Sequence, residues 1–129
     1  MADEGTMRIH VLEAHLTHKT QLIGKMDPYV ILKSREQEWR TPVCNNGGKE
    51  PKWHHVHWDC QVHYLGDDLE FHVMDDEIGK DNKIGHGKTK LSALAVHGGF
   101  DEWFEIEFEG HAAGKLHLKA EWHPKHHHH

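Results

Sequence analysis

The sequence predicts an all-β fold, an eight-stranded antiparallel β-sandwich, and three observations carry that prediction. Short stretches alternate apolar and polar residues with period two, turn-forming clusters separate them, and only one segment reads as helix. Strands are expected over residues 7–13, 28–34, 38–44, 53–62, 69–74, 83–91, 102–108 and 115–122. In the second, Tyr29, Ile31 and Lys33 share one face while Val30 and Leu32 take the other. Ile9-His10-Val11, Phe71-His72-Val73 and Leu116-His117-Leu118 set histidine on the polar face of their strands. The separators are Asn45-Asn46-Gly47-Gly48, Gly66-Asp67-Asp68, Gly79-Lys80-Asp81-Asn82, Gly98-Gly99 and the pair Gly110 and Gly114, residues that tolerate positive φ. Residues 91–97 predict a short helix with Ser92 as its N-cap.

Composition narrows the function. With 129 residues, 36% hydrophobic, 12 glycines and 5 tryptophans, the chain suits one small core bounded by many turns. One domain is expected over 1–125, and His126 to His129 read as a purification tag or its remnant. No apolar run approaches the ~20 residues of a membrane-spanning helix, and the N-terminus does not read as a signal peptide, so a soluble, cytoplasmic monomer is expected. Cys44 and Cys60 fit free structural thiols in a reducing compartment. The net charge of -6 disfavours nucleic acid and favours cations.

One stretch stands out: Gly24-Lys25-Met26-Asp27-Pro28-Tyr29-Val30 places an aspartate on a turn just before a strand, where the following proline biases it away from helix. It resembles the most recognisable signature of the C2 domain family, the calcium- and phospholipid-binding β-sandwich. The run from Met7 to Leu16 is similar to that family's opening strand. Thr41-Pro42-Val43 and Pro51-Lys52-Trp53-His54 resemble the flanks of its second loop, with His54 where asparagine is usual. The run from Leu69 to Glu77, then Asp81-Asn82-Lys83-Ile84-Gly85, resembles its fifth strand, acidic third loop and sixth strand. The resemblance also implies a Greek-key sandwich in the family's permuted, type II topology, since the chain opens directly on the Ile9 strand and closes on residues 114–120.

The resemblance implies Ca²⁺ ligands at Asp27, Asp75, Glu77 and Asp81, with Glu77 in place of a third aspartate. Gln21 and Asn82 stand at two further ligand positions, where they remove charge, and whether Asp81 or Asn82 faces inward is open. Calcium affinity follows the number of charged ligands, so a weakened site and plain solvated turn acids both remain possible. Leu22, Ile23 and Ile78, beside Lys19, Lys25 and Lys80, would form a tip that enters the interface of anionic membranes. Lys33, Arg35 and Arg40, with Lys52, would form a basic cluster on one sheet, or else an ordinary solvated face.

These implications make calcium-influenced, reversibly peripheral binding to an anionic phospholipid surface the leading function, serving signalling or membrane targeting. The alternative is a calcium-independent module for a protein partner, with Trp39, Trp58 or Trp122 exposed. Histidine clusters at His54, His55 and His57, and at His15 and His18, are candidates for zinc or copper, and the abundance of imidazoles implies stronger membrane binding in acid. No nucleophile loop, phosphate-binding glycine loop or metalloprotease helix motif occurs, so catalysis is not expected.

Overall fold

The computed structural model describes residues 4–20 and 24–125. It contains strands β1 (Gly5–Leu16), β2 (Pro28–Ser34), β3 (Gln37–Arg40), β4 (His57–Val62), β5 (Asp68–Asp75), β6 (Asn82–Lys90), β7 (Gly99–Phe108) and β8 (His111–Pro124). A short helix, α1 (Leu91–Ala95), runs into a 3-10 turn before β7. Ser92 lies inside α1 rather than at its cap, because β6 continues to Lys90, which holds the cap position in an extended conformation.

All pairings are antiparallel, in the order β3-β2-β5-β6-β7-β8-β1-β4. The link between β6 and β7 is a single pairing, His86 with Glu107, so the order divides there into two four-stranded halves. These halves face one another. Trp39 on β3 and Trp58 on β4 come from opposite ends of the order, yet their rings stack 6.2 Å apart, and Phe71 of β5 meets Phe104 of β7. The result is the expected sandwich. β1 lies between β4 and β8, so its neighbour comes from the C-terminal end of the chain, as the permuted topology requires.

Alternation fills the space between the layers. Met7, Ile9 and Val11 point inward from β1, and a bulge between Val11 and Glu13 resets the phase so that Ala14 and Leu16 are buried as well. Val30 and Leu32 from β2, Leu69, Phe71 and Val73 from β5, and Leu116 and Leu118 from β8 complete the centre. Each such side chain contributes about 1.5–3 kcal/mol by leaving water.

Two strands are shorter than their sequence predicts. β3 stops at Arg40, and the Thr41 hydroxyl accepts the Val30 N–H at 2.9 Å, replacing a ladder bond just before Pro42, which has no N–H to offer. Residues 53–56 do not join β4, because His55 adopts φ 56°. This segment still lines β1 through backbone bonds from Val11 to Val56 and from Trp53 to Leu12, and Trp53 is buried as a loop anchor whose indole donates to the Pro42 carbonyl at 2.9 Å.

Candidate functional site

The site begins with the parity of β5. The alternation that buries Leu69, Phe71 and Val73 continues to Asp75, whose side chain is therefore wholly buried at the strand's end. The Asp75 carboxylate accepts the Asp27 backbone N–H at 2.8 Å and the Thr20 hydroxyl at 2.6 Å. Asp27 joins three loops: its carbonyl accepts the Asp76 N–H at 3.0 Å and its Oδ1 accepts the Asn46 N–H at 2.7 Å. The pairing of Pro28 with Asp75 brings the first and third loops side by side.

The third loop closes on itself. Asp81 Oδ1 accepts the Glu77 N–H at 3.3 Å, its Oδ2 accepts the Tyr29 hydroxyl, and the Asn82 amide donates to Glu77 at 2.5 Å. Hydrogen bonding from Tyr29, then from the Glu77 backbone, holds the Asp81 carboxyl below its ordinary range. Asp76 shifts the other way: desolvation, then repulsion from Asp81, Asp27 and Asp75, raises its carboxyl. Asp76 thus lies near Asp27, Asp75 and Asp81 at one end of the sandwich, and this oxygen-only donor set suits a hard divalent cation. Among the described residues no three carboxylates, imidazoles or thiols converge closely enough to hold an ion as they stand. A cation would draw the carboxylates out of part of their internal hydrogen bonding.

Other predicted positions are placed as follows. Gln21, Leu22 and Ile23 lie outside the described residues. Ile78 projects fully into solvent (106% exposed) with exposed Lys80 two residues on, and Lys25 is exposed in the first loop. The basic cluster assembles only in part: Arg40 lies opposite Ile31, on the face from which Lys33 also projects, whereas Arg35 and Lys52 lie apart from them. Lys33 pairs with Glu38 across β2 and β3, Arg35 pairs with Asp67 at the far end of that sheet, and the Lys52 backbone pairs with that of Glu13 on β1 in the other layer. Arg40 sits over the Tyr29 ring, 5.2 Å from its centroid.

The histidine clusters also come apart. His55 is in a turn while His57 is on β4, where it meets His10, and His18 donates to the Ile84 carbonyl at 2.8 Å while His15 faces Glu50 at 3.2 Å. Trp39, Trp58 and Trp122 are half-buried against the core rather than exposed. The exposed tryptophan is Trp103 on β7, stacked on His117 at 4.7 Å. Cys44 and Cys60 are free, and burial pushes the Cys60 thiol up to about 11.

Sequence reasoning missed Asp76, Thr20 and Asn46. The adjacent acid after Asp75 was a usable signal for Asp76, whereas the Thr20 and Asn46 contacts arise only from how the loops converge.

The C2 domain profile matches residues 5–106. The chain belongs to the C2 domain family. This C2 domain is 36% identical over 124 residues to mouse extended synaptotagmin-1 and 33% identical over 126 residues to Xenopus laevis extended synaptotagmin-2-A, with 92% of the chain covered in each case. It spans only 11% and 14% of those two proteins. Among solved structures, calcium-bound extended synaptotagmin 2 C2A and C2B domains superpose with a TM-score of 0.75 at 30% identity, covering 95% of this chain and 46% of that one. The C2A domain of a plant extended synaptotagmin 1 shares the fold with a TM-score of 0.81 over 98% of this chain and 99% of that one, at 23% identity.

Proposed function

We propose that this C2 domain is a non-catalytic module that binds anionic phospholipid surfaces through its loop end, in a manner influenced by Ca²⁺. The observation that carries the reading is the convergence of Asp27, Asp75, Asp76 and Asp81 where the first and third loops meet, a crowding of carboxylates that a bound cation would relieve. The likeness to a calcium-bound extended synaptotagmin 2 structure supports the same ion. Asp27, Asp75, Asp76 and Asp81 would hold it, with Glu77 and Asn82 at the margin and Gln21 contributing from the first loop; calcium would supply positive charge at the tip.

The chain's own residues do the rest. Ile78, with Leu22 and Ile23, would enter the interface, while Lys25 and Lys80 meet anionic headgroups. Engagement would be reversible and peripheral, at a membrane facing the cytoplasm. The test is calorimetric titration of calcium into chelator-treated protein, alone and with anionic liposomes. The expected result is a micromolar to millimolar constant that tightens on liposomes and is lost in D27N/D75N; silence in both titrations overturns the reading.

A second reading rests on Trp103, 44% exposed on β7. A calcium-independent protein partner would dock there, and the tryptophan replaces Trp39, Trp58 and Trp122 as its anchor. Partner capture that survives D27N/D75N but not W103A would favour it.

A further inference from the structure

A cleft of about 470 Å³ lies between the first and second loops, beside the acidic end but outside it. Its walls are built into the fold. Gly48 N–H donates to the Met26 carbonyl at 3.0 Å, tying the second loop to the first, and Leu16 N–H donates to the Lys49 carbonyl at 2.7 Å, tying the second loop to β1. Met26, 1% exposed, forms an apolar floor. Gly48 has φ 62°, and the Lys25 stem lies 3.7 Å from where a Cβ would sit, so the glycine shapes the wall on which that lysine rests.

Three lysines line the cleft, Lys19, Lys25 and Lys49, all exposed and none in an ion pair among the described residues. The acid at the rim, Glu50, is engaged by His15 at 3.2 Å. In a chain of net charge -6, three unpaired ammonium groups around one walled concavity are a local reversal of sign. Lysine acts as a compact point charge toward phosphate, and three of them match a group with three terminal oxygens and nearly two negative charges.

We propose that this cleft binds a phosphomonoester group, without calcium. The ester has two possible sources, the headgroup of a lipid or a free metabolite. Lys19 and Lys25 also belong to the end proposed to meet membranes, so the lipid-borne source rests on that reading, whereas the free ester does not.

The experiment uses the full chain in chelator, with glycerol 3-phosphate followed by amide NMR and phosphatidylcholine vesicles with or without phosphatidic acid followed by flotation. The expected result is shifts at the amides of Lys25, Gly47, Gly48 and Lys49, flotation only with phosphatidic acid, and a loss of about tenfold or more in affinity for K19Q/K49Q. Binding of the soluble ester alone supports the site with a free ligand. Flotation alone, lost in K19Q/K49Q, supports it with a lipid ligand. No response to either probe overturns the proposal, as does binding unchanged in K19Q/K49Q. D27N/D75N, run in parallel with calcium, separates failure of the calcium reading, because that variant keeps all three lysines.

Discussion

The Tyr29 hydroxyl on β2 donates a hydrogen bond to Oδ2 of Asp81 in the third loop. The contact couples the sheet to the acidic end and affects both partners. Burial, reinforced by Asp81, pushes the phenol up to about 12, and the same bond lowers the Asp81 carboxyl. Asp81 is thereby kept ionised and fixed in place before any cation arrives.

Tyr29→Phe removes that donor. The expected loss is about 1 kcal/mol, read as a lower urea midpoint at unchanged slope. The pH dependence has a definite sign. A depressed carboxyl stabilises the fold above its unfolded value of about 3.9 and ceases to do so as pH falls through the folded value, so the variant's deficit should be full at neutral pH and fade in strong acid. A deficit that persists undiminished at pH 2 would refute the assignment to Asp81.

Asp75 and Asp27 are separable by stability. Asp75 is buried and accepts on both oxygens, so Asp75→Asn turns an acceptor into a donor inside the fold and should cost about 1–3 kcal/mol in chelator. Asp27 is half-buried, and its acceptance from Asn46 can be retained by an asparagine oxygen, so Asp27→Asn should cost less. Both should weaken calcium binding. Urea melts in chelator beside calorimetry distinguish the two patterns, and equal destabilisation would show that Asp75 is no more structural than Asp27.

How much of this was legible depended on whether the information was periodic. Phe71-His72-Val73 fixed β5 and, by the same parity, the inward aim of Asp75. Trp53 and Val56 read as strand because buried aromatic and β-branched residues also anchor loops, and only the positive φ of His55 separates the two cases. Lys33, Arg35, Arg40 and Lys52 are near in sequence, but the crossover from β3 to β4 carries Lys52 to the other layer, a separation that no one-dimensional pattern shows. Tyr29's hydroxyl bond to Asp81 spans 52 positions and is set by the β2–β5–β6 order.

Gly87→Ala tests the packing between the layers. A Cβ there would lie 2.5 Å from Phe71 Cε2 and 2.9 Å from the Glu105 carbonyl oxygen. The ring cannot yield without disturbing its contact with Phe104, and the carbonyl belongs to the backbone of β7. A loss of about 1–3 kcal/mol is expected in a thermal or urea melt.

Ile78→Ser should leave stability within about 0.5 kcal/mol, since the side chain touches nothing it could lose. Flotation with anionic vesicles in calcium should fall severalfold, because an apolar tip entering the interface is replaced by a hydroxyl. Unchanged flotation would remove Ile78 from the membrane contact.

His117 on β8 provides the last test. Its Nδ1 faces Glu13 of β1 at 3.2 Å, its Nε2 faces Asp101 of β7, and Trp103 covers the ring. Burial disfavours the imidazolium, but the bonds to Asp101 and Glu13 outweigh it and raise the imidazole above its usual value. A raised histidine stabilises the fold fully below the unfolded value of about 6.5 and loses that contribution as pH rises through the folded value. The deficit of His117→Gln should therefore be larger at about pH 6 than at pH 9, in urea melts run at both. Equal deficits would mean that the ring contributes packing under Trp103 and no ion pairing, while an NMR titration of the His117 ring above the usual histidine range would confirm the charge directly.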